Sequence, residues 1–475
     1  MKKIKLRINK LGIIAFVCGF VLMVFELAGA RILAPGIGSS TYVWTSVIGV
    51  IIAALSLGYW FGGKLADRRG YMVDVARLTL IAGLTITFAM FQYQEVILWV
   101  AKDFDDPRLQ GIIASLLLFA PTSFVLGTVS PYLAKLNVKS LKTTGSSIAS
   151  LSALNSIGGI VGTFVAGFIL FGYLGSYETL SIVAITMVAV SWLAAPRINW
   201  KLRAVASVAV LMLVGVPTPN ISALSIDTPS AHYALYETPE IRYLATGPQA
   251  AQSGVSLVDK DELVFWYTQQ LATVVAATPQ RQNILILGGG AFTLPQYLAT
   301  KYPDSAIDVV EIDPALAGIA RQYFHYGDPA NVKMIFTDAR TYVNQTDKQY
   351  DIVIVDVYGD TQVPFTLLTR EYGQHISRIV KPQGIVAANL IAGTQEGCGT
   401  LLDTLDAPYR THFDHAAYAI EHPEKQRSNI IAAYSRQPVQ WAGSQPLQVI
   451  GGHLYSDNFA PAERLQHDCR HSTGA

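Results

Sequence analysis

The stretch Ile284-Leu285-Ile286-Leu287-Gly288-Gly289-Gly290, followed by Asp308-Val309-Val310-Glu311, decides the fold of this chain. The aliphatic run predicts a buried strand, and the three glycines predict a turn at which the backbone approaches a ligand closely. A helical segment then leads to a second apolar strand, which ends in the acid Glu311. A strand, a glycine turn, a helix and a second strand with a terminal acid are typical of a nucleotide-binding Rossmann-like unit.

The composition divides the chain into two regions that belong in different environments. Of the 475 residues, 51% are hydrophobic and 15% are charged, as in a membrane protein. The long apolar runs end near residue 220, and the remainder has the pattern of a soluble domain. We therefore predict a multi-pass transmembrane domain over 1–220, a β-rich lead-in over 221–280 and a Rossmann-like domain over 281–475. The fold class is an N-terminal all-α bundle followed by an α/β, class I methyltransferase-like domain.

The charge and the cysteines exclude several other classes of protein. A net charge of +1 and the lack of a nucleic-acid-binding motif argue against a nucleic-acid partner. The three cysteines, Cys18, Cys398 and Cys469, include no C-x-x-C pair, so we predict neither a disulfide framework nor a zinc site. The terminal segment His467–His471 contains metal-ligand side chains, but we expect a chain end to be disordered rather than metal-binding.

Six apolar runs are long enough to cross about 30 Å of hydrocarbon. They lie near 11–33, 43–63, 75–100, 111–133, 147–171 and 176–195. A seventh run, Ala204–Val216, is shorter, and it is compatible with a tilted span, a re-entrant piece or an interfacial helix. The N-terminal tail and the loops after the second, fourth and sixth runs are basic, which predicts a cytoplasmic N-terminus.

Two charged residues, Glu26 and Arg31, fall within the first apolar run. Charge inside a membrane is costly, so each is either paired with another helix or part of a functional site. The fifth run carries several glycines, including Gly158, Gly162 and Gly167. Because Gly158 and Gly162 lie four residues apart, they predict close packing against a neighbouring helix.

The soluble region alternates strands and helices, which predicts a parallel, doubly wound sheet. Strands are predicted at 283–287, 306–311, 332–336, 351–356 and 384–390, and helices near 294–301, 314–323, 339–345 and 366–379. Two late runs, His412–Ala419 and Asn429–Tyr434, predict an antiparallel hairpin at the edge of the sheet. The lead-in is predicted to contain strands at Tyr233–Tyr236, Ile241–Leu244 and Gly254–Val258, a turn at Gly247-Pro248, and a helix over Asp261–Ala277.

Acids at the ends of the predicted strands are the candidate binding residues. Glu311 is expected to accept hydrogen bonds from both hydroxyls of a ribose. Asp313 precedes Pro314, so it is interpreted as a helix N-cap. Asp338, followed by Ala339, is compatible with contact to an adenine amino group, with a helix cap, or with both.

The fourth predicted strand ends in a second acidic segment, Asp356-Val357-Tyr358-Gly359-Asp360. A carboxylate at this edge of the sheet points into the ligand crevice, where Asp356 would orient an attacking amine or accept its proton. Asp360 would either bind a distal ammonium group or serve as a turn residue.

These motifs resemble the spermidine synthases, which are polyamine aminopropyltransferases. The glycine turn and the acids Glu311, Asp338 and Asp356 fit that family, and further segments resemble its lead-in, its helix tyrosine and its closing motif: Gln252-Ser253-Gly254, Tyr267, Lys381-Pro382-Gln383-Gly384 and Asp457-Asn458-Phe459-Ala460-Pro461. The membrane region adds segments similar to the bacterial fused major-facilitator/spermidine synthases: Leu33-Ala34-Pro35, Tyr42-Val43-Trp44 and Gly62-Gly63-Lys64-Leu65-Ala66-Asp67-Arg68.

The resemblance implies transfer of an aminopropyl group from decarboxylated S-adenosylmethionine to an amine, with release of methylthioadenosine. It implies three sets of site residues and no metal. The donor would be bound by Gln252, Gly288, Gly289, Gly290, Glu311, Asp338 and Ala339, the acceptor by Tyr267, Tyr358 and Asp360, and Asp356 would be catalytic. Since soluble members of the family form dimers or tetramers, a homodimer is an expectation.

The chain also departs from the family's pattern. Soluble spermidine synthases read GGGDGG at the first turn, where this chain has Ala291-Phe292-Thr293 after the glycines. Several acids that would hold a polycation are therefore absent or displaced, and the acceptor is expected to be a small amine or a membrane-associated molecule. Two alternatives stay open: an S-adenosylmethionine-dependent methyltransferase with a membrane-associated substrate, and a sensor or transporter that binds a polyamine or nucleotide without turnover.

The number of spans sets the side of the membrane on which the soluble domain lies. We predict a bacterial inner-membrane protein. Six spans place the domain in the cytoplasm, which we favour because adenosyl donors are cytosolic. Seven spans would place it in the periplasm.

Overall fold

A computed structural model of the chain describes residues 9–37, 40–104, 106–138, 144–195, 200–214, 224–228, 230–246, 251–358, 364–395, 398–447 and 452–471. The chain divides into a helical unit, residues 1–221 with 225–233, and a second unit, residues 222–224 with 234–475. The domain boundaries near residues 220 and 280 stay predictions.

The first unit is helical because a backbone in an apolar environment has to satisfy its hydrogen bonds internally. It contains α1 (Lys10–Ile37), α2 (Thr41–Arg68), α3 (Met72–Asp103), α4 (Pro107–Leu118), α5 (Ala120–Asn137), α6 (Thr144–Val165), α7 (Phe171–Tyr173), α8 (Ser176–Ala194) and α9 (Trp200–Val214). A π-helical segment, Ala166–Leu170, joins α6 to α7. Five helical segments are long and apolar enough to cross a membrane, and α4 with α5 would make a sixth.

The fourth predicted span is broken rather than continuous. Helices α4 and α5 meet at Phe119 with a bend of 53°. Pro121, at the start of α5, has no amide hydrogen to donate to the preceding turn, and its ring crowds that turn. The single run predicted at 111–133 is therefore two helices.

Helices α1 and α6 pack with their backbones in contact at glycine positions. A Cβ atom on Gly158 would lie 1.9 Å from the main-chain oxygen of Phe16, and one on Gly162 would lie 2.5 Å from that of Phe20. The predicted packing role of these two glycines is confirmed. The prediction of the same packing role for Gly167 was wrong, because its Cβ position has no neighbour within 4 Å.

Arg31 of α1 has partners elsewhere in the helical unit. Its guanidinium carbon lies 4.6 Å from the centroid of the Phe171 ring, and its guanidinium donates a hydrogen bond to the main-chain oxygen of Thr228. These contacts fit the interpretation of Arg31 as a residue that is stabilised by neighbouring segments.

The lead-in to the second unit is a small antiparallel sheet followed by a helix. Its elements are β1 (Leu224–Asp227), β2 (His232–Glu237), β3 (Ile241–Ala245), β4 (Ala251–Ser256) and α10 (Trp266–Ala277), and the strand order is β1-β2-β3-β4. Helix α10 begins five residues later than its predicted start at Asp261, because Asp259 forms a turn with Asp261 and Glu262. The predicted turn at Gly247-Pro248 lies outside the described residues.

The remainder of the unit forms a seven-stranded sheet with helices between its strands. The elements are β5 (Asn283–Leu287), α11 (Thr293–Lys301), β6 (Ala306–Glu311), α12 (Ala315–Tyr323), β7 (Val332–Phe336), α13 (Ala339–Gln345), β8 (Tyr350–Val355), α14 (Arg370–Ile379), β9 (Val380–Ala392), α15 (Gly399–Arg410), β10 (His415–Ile420), β11 (Ser428–Ser435) and α16 (Ala462–His471).

The strand order, β10-β11-β9-β8-β5-β6-β7, confirms the predicted fold class. Strands β5 to β9 pair in parallel, whereas β11 is antiparallel to both β9 and β10. The late hairpin is therefore at one edge of the sheet, as predicted. Helix α15 was not predicted from the sequence.

The C-terminal segment corrects two sequence-based expectations. Residues Ala462–His471 form α16, whereas disorder was expected for the end of this stretch. Cys469 in this helix is joined by a disulfide to Cys398, which precedes α15. The prediction of no disulfide was therefore wrong. Because 71 residues separate the two cysteines, no local sequence pattern pairs them.

The packing at Gly158 can be tested with a matched pair of substitutions. We expect Gly158→Ala to lower the thermal unfolding midpoint of the detergent-solubilised protein, because its Cβ would overlap Phe16; such overpacking costs about 1–3 kcal/mol. Gly167→Ala adds the same methyl group where there is space and is expected to leave the midpoint unchanged. Equal midpoints for both variants would contradict the close approach of α1 and α6.

Candidate active site

The glycine turn after β5 is held against the end of β8. Gly288 has a φ of +94°, and a Cβ atom there would lie 1.9 Å from the main-chain oxygen of Asp356. Only glycine combines this backbone conformation with this close approach. The amide nitrogen of Asp356 in turn donates to the main-chain oxygen of Leu287 at 2.9 Å. The turn and Asp356 therefore share one edge of the sheet.

Glu311, at the end of β6, is joined directly to the glycine turn. One carboxylate oxygen accepts hydrogen bonds from the amides of Gly289 and Gly290 at 2.9 and 3.0 Å. The other accepts from the amides of Ile312 and Asp313 at 2.7 and 3.0 Å. Burial raises the pKa of Glu311, and these four amide donors counteract that rise. The carboxylate is thus fixed beside the glycines, at the end of β6.

Ser253 connects the lead-in to the glycine turn, a contact that the sequence did not predict. Its hydroxyl accepts a hydrogen bond from the amide of Ala291 at 3.0 Å, and a Cβ on Gly290 would lie 2.6 Å from that oxygen. The neighbouring residue, Gln252, is brought to the same crevice. Ser253 therefore places the Gln252-Ser253-Gly254 motif beside the glycine turn.

Asp356 is held by two hydrogen-bond donors from different elements. The side-chain amide of Asn389, on β9, donates to its carboxylate at 3.0 Å. The hydroxyl of Tyr267, on α10, is shared between this carboxylate and the main-chain oxygen of Gln252, which lies 3.2 Å away. Burial raises the pKa of Asp356 to about 6, and these two donors counteract that rise. A carboxylate of this kind is suited to accept a proton near neutral pH.

Two buried amide oxygens in this crevice lack a hydrogen-bond partner among the residues that the structure describes. They are Oδ1 of Asn389 and Oε1 of Gln252. Asn389 is only 4% exposed, and its amide nitrogen is the end that faces Asp356. Buried polar atoms are nearly always satisfied, so these oxygens call for a donor from a ligand or from ordered water.

Two further residues, Tyr358 and Asp360, were predicted to bind the acceptor. Tyr358 is half-buried near Asp356, and its hydroxyl accepts a hydrogen bond from the amide of Ile391 at 3.0 Å. Because that hydroxyl retains its own proton, it can still donate to a ligand. Asp360, the other predicted acceptor residue, lies outside the described residues.

The residues predicted to meet the adenine have a clear structural role. The carboxylate of Asp338 caps α13 by accepting from the amide of Thr341 at 2.8 Å, and Ala339 is the first residue of that helix. Asp338 is exposed, so its second oxygen remains open to a ligand. Asp313 accepts from the amide of Ala315, which confirms its predicted role at the start of α12.

The closing motif is also fixed by side chains. Asp457 accepts hydrogen bonds from Arg340 of α13 at 2.7 Å and from the hydroxyl of Thr369 at 2.6 Å. Asp351, at the other end of β8 from Asp356, forms an ion pair with Lys381 at 2.8 Å. Asp351 is therefore structural. No group of three His, Cys, Asp or Glu side chains suited to a metal occurs within the described parts of the chain.

The sheet order and the glycine turn define a class I methyltransferase-like domain. A comparison with protein families is more specific, because residues 264–395 match the spermine/spermidine synthase domain. This part of the chain is therefore similar to a spermine/spermidine synthase domain.

Known proteins similar to this chain are of two kinds. A polyamine aminopropyltransferase of Vibrio vulnificus (strain CMCP6) is 28% identical over 40% of this chain and 64% of its own length. A human eEF1A lysine and N-terminal methyltransferase is 27% identical over 23% of this chain and 17% of its own. The chain therefore spans less than two thirds of the length of either relative. The crystal structure of a probable spermidine synthase from Corynebacterium glutamicum ATCC 13032 is 25% identical, covers 47% of this chain and 82% of its own, and has a TM-score of 0.42.

The geometry of the turn can be tested by adding one methyl group. We expect Gly288→Ala to reduce the affinity for methylthioadenosine by at least tenfold, because the new Cβ would displace either the turn or the end of β8. Gly318→Ala is the matched control, since its Cβ position on α12 has no neighbour within 4 Å. Calorimetric titration measures both, and equal affinities would contradict this placement of the site.

Proposed function

We propose that the protein is a membrane-anchored aminopropyltransferase that uses decarboxylated S-adenosylmethionine and releases methylthioadenosine. The observation that carries this proposal is the surplus of hydrogen-bond acceptors around Asp356. The Asp356 carboxylate, Oδ1 of Asn389 and Oε1 of Gln252 all seek donors, and an ammonium group supplies three. Intact S-adenosylmethionine also carries an ammonium group, but its carboxylate would add a further acceptor to this surplus.

The proposed reaction is a single displacement. The neutral acceptor amine attacks the propyl carbon next to the sulfonium, a nitrogen–carbon bond forms, and the carbon–sulfur bond breaks with its electron pair moving to sulfur. The proton lost by the nitrogen passes to Asp356. Because the carbon is already activated by the sulfonium, holding the amine in line with it supplies much of the acceleration.

The donor would be held at the glycine turn. Glu311 would accept from the ribose hydroxyls, and Asp338 with Ala339 would border the adenine. Gln252 would meet the aminopropyl ammonium, while Tyr267 and Tyr358 would border the acceptor. These assignments are supported by the positions of the residues at one edge of the sheet and by the open hydrogen-bonding capacity of Gln252, Asp338 and Tyr358. The ribose hydroxyls would have to replace some of the four backbone donors that Glu311 now accepts.

The acceptor is proposed to be a small amine or a molecule delivered from the membrane. Two further points support a membrane-delivered acceptor: the fused apolar helices, and the loss of the acids that follow the glycines in the resembling family. We also propose that the helices lie in a bacterial inner membrane with the N-terminus in the cytoplasm, and that the protein forms a homodimer.

The choice of donor is the first prediction. Calorimetric titration of the purified full-length protein is expected to show at least tenfold tighter binding of decarboxylated than of intact S-adenosylmethionine, because the extra carboxylate would meet acceptors. Tighter binding of the intact donor would indicate a methyltransferase. Binding of neither would indicate a domain without this activity.

The role of Asp356 is tested by Asp356→Asn. We expect binding of methylthioadenosine, which carries no ammonium group, to be retained and the transfer rate to fall by about 10²- to 10⁴-fold, the range typical of a lost general base. Asp347→Asn, whose side chain is 96% exposed, is the matched control and is expected to keep full activity. A rate in Asp356→Asn close to that of the control would exclude Asp356 as the proton acceptor.

The pH dependence follows from the pKa of Asp356. Only the ionised carboxylate accepts a proton, so the transfer rate is expected to rise with pH up to about 6 and then to level off with respect to this group. Asn389→Leu removes a hydrogen bond that stabilises the ionised form, and therefore moves the acidic limb to higher pH. If the rate of this variant rose at the same pH as that of the unaltered protein, the acidic limb could not be assigned to Asp356.

A further inference from the structure

Helix α9 runs antiparallel to α8, with hydrogen bonds between the two helices near both ends. At one end, the Arg203 guanidinium donates to the main-chain oxygens of Ser191 and Ala195, at the C-terminal end of α8. At the other end, the Tyr177 hydroxyl, near the start of α8, donates at 3.3 Å to the main-chain oxygen of Val214, the last residue of α9. Because α8 is itself one of the helices long enough to cross a membrane, α9 extends over a comparable depth.

The start of α9 lies at the same end of the bundle as the N-terminus. The Lys10 ammonium, at the start of α1, donates to the main-chain oxygen of Ala194 at 2.8 Å, and Asn9 donates to the side chain of Asn137, at the end of α5, at 3.3 Å. The chain thus leaves α8 at the N-terminal end of the bundle and crosses to the opposite end through α9.

The chain that follows α9 is found at that opposite end. Arg31, near the C-terminal end of α1, donates a hydrogen bond to the main-chain oxygen of Thr228 and lies over the ring of Phe171. Thr228 follows β1 and belongs to the helical unit. The α1 helix separates Lys10 from Arg31 by 21 residues, or about 30 Å at 1.5 Å per residue.

The surface of α9 matches a helix surrounded by lipid rather than one lying at an interface. Val205, Val208, Leu211 and Met212 are 68, 51, 50 and 70% exposed, and they are distributed along its length. Between Ala204 and Val214 the only polar residue is Ser207, whose hydroxyl is bonded to Arg203 and Trp192. An interfacial helix needs a strongly polar face, which α9 lacks. Its 15 residues span about 22 Å, so the bilayer would thin locally around it.

The disulfide in the second unit is independent evidence about the compartment in which that unit lies. Cys398 and Cys469 are both fully buried and joined to each other. Disulfides persist in oxidising compartments such as the periplasm and are rare in the cytosol. A buried structural disulfide between α15 and α16 therefore fits a domain outside the cytoplasm.

We infer that α9 is a seventh transmembrane helix and that the domain following it lies in the oxidising compartment, on the side of the membrane opposite the N-terminus. The basic residues at the N-terminal end of the bundle, including Lys10, Arg68 and Lys135, place that end in the cytoplasm. This is the seven-span arrangement, and it replaces the six-span arrangement that we favoured from the sequence. The inference does not depend on which reaction the domain catalyses.

The location has a consequence that rests on the proposed function. Adenosyl donors are made in the cytosol, so transfer on the far side requires a preceding step in which the sulfonium donor crosses the membrane. The step that supplies the donor to this enzyme is then transport across the membrane, not a further synthetic reaction in solution.

The test compares two single-cysteine additions to the full-length protein, Asp347→Cys and Asp67→Cys. The parent side chains are exposed carboxylates, 96 and 74% exposed, on the second unit and at the N-terminal end of the bundle respectively. In cells with a permeable outer membrane, a membrane-impermeant maleimide is expected to label Asp347→Cys at least tenfold more than Asp67→Cys. Lysis should abolish the difference. Any other pattern in unbroken cells overturns the inference.

The disulfide is tested separately on the unaltered protein. Denatured without reductant, it is expected to react with one equivalent of maleimide, at Cys18, and to react with three after reduction. Three reactive thiols before reduction would show that Cys398 and Cys469 are not joined in the cell and would remove that support. Neither measurement requires activity, so failure of the proposed reaction and failure of the proposed location give distinguishable results.

Discussion

The site depends on the contact between the end of β5 and the end of β8. Gly288 and the main-chain oxygen of Asp356 are so close that no side chain fits between them. This contact fixes the glycine turn, whose next two amides fix Glu311, and it places the Asp356 carboxylate on the same edge of the sheet. Since parallel strands present their carboxyl ends together, one steric constraint aligns Glu311 and Asp356 at the same edge of the sheet.

Burial and hydrogen bonding act against each other at both carboxylates. Burial raises the pKa of Glu311 and of Asp356, but the hydrogen bonds that lower each pKa again are of different kinds. Glu311 receives four backbone donors, which suits a group that binds without changing its charge. Asp356 receives two side-chain donors and has a pKa of about 6, which suits a group that takes up a proton. The unfilled oxygens of Asn389 and Gln252 add a local demand for donors that a cationic amine would meet.

Much of the fold was predictable because its signals are local. The aliphatic strands, the glycine turn and the acids that end β6 and β8 are each encoded within a few residues, and the late hairpin is marked by its composition. The break at Phe119 was also encoded locally, by Pro121, but the surrounding apolar run concealed it. What the sequence did not show is contact between distant residues. Asn389 reaches Asp356 from the neighbouring strand, Ser253 reaches Ala291 from the lead-in, and Cys398 meets Cys469 only after α15 and α16 pack together. The predicted roles of the site residues stay predictions until they are measured.

The measurement that tests the central claim most directly is identification of the nucleoside product. The full-length protein in lipid vesicles would be supplied with decarboxylated or intact S-adenosylmethionine, together with a panel of small amines and amine-bearing lipids, on both sides of the membrane. The account predicts that methylthioadenosine forms from the decarboxylated donor, dependent on an amine and on Asp356. Formation of S-adenosylhomocysteine from the intact donor, with no methylthioadenosine from the decarboxylated one, would contradict it.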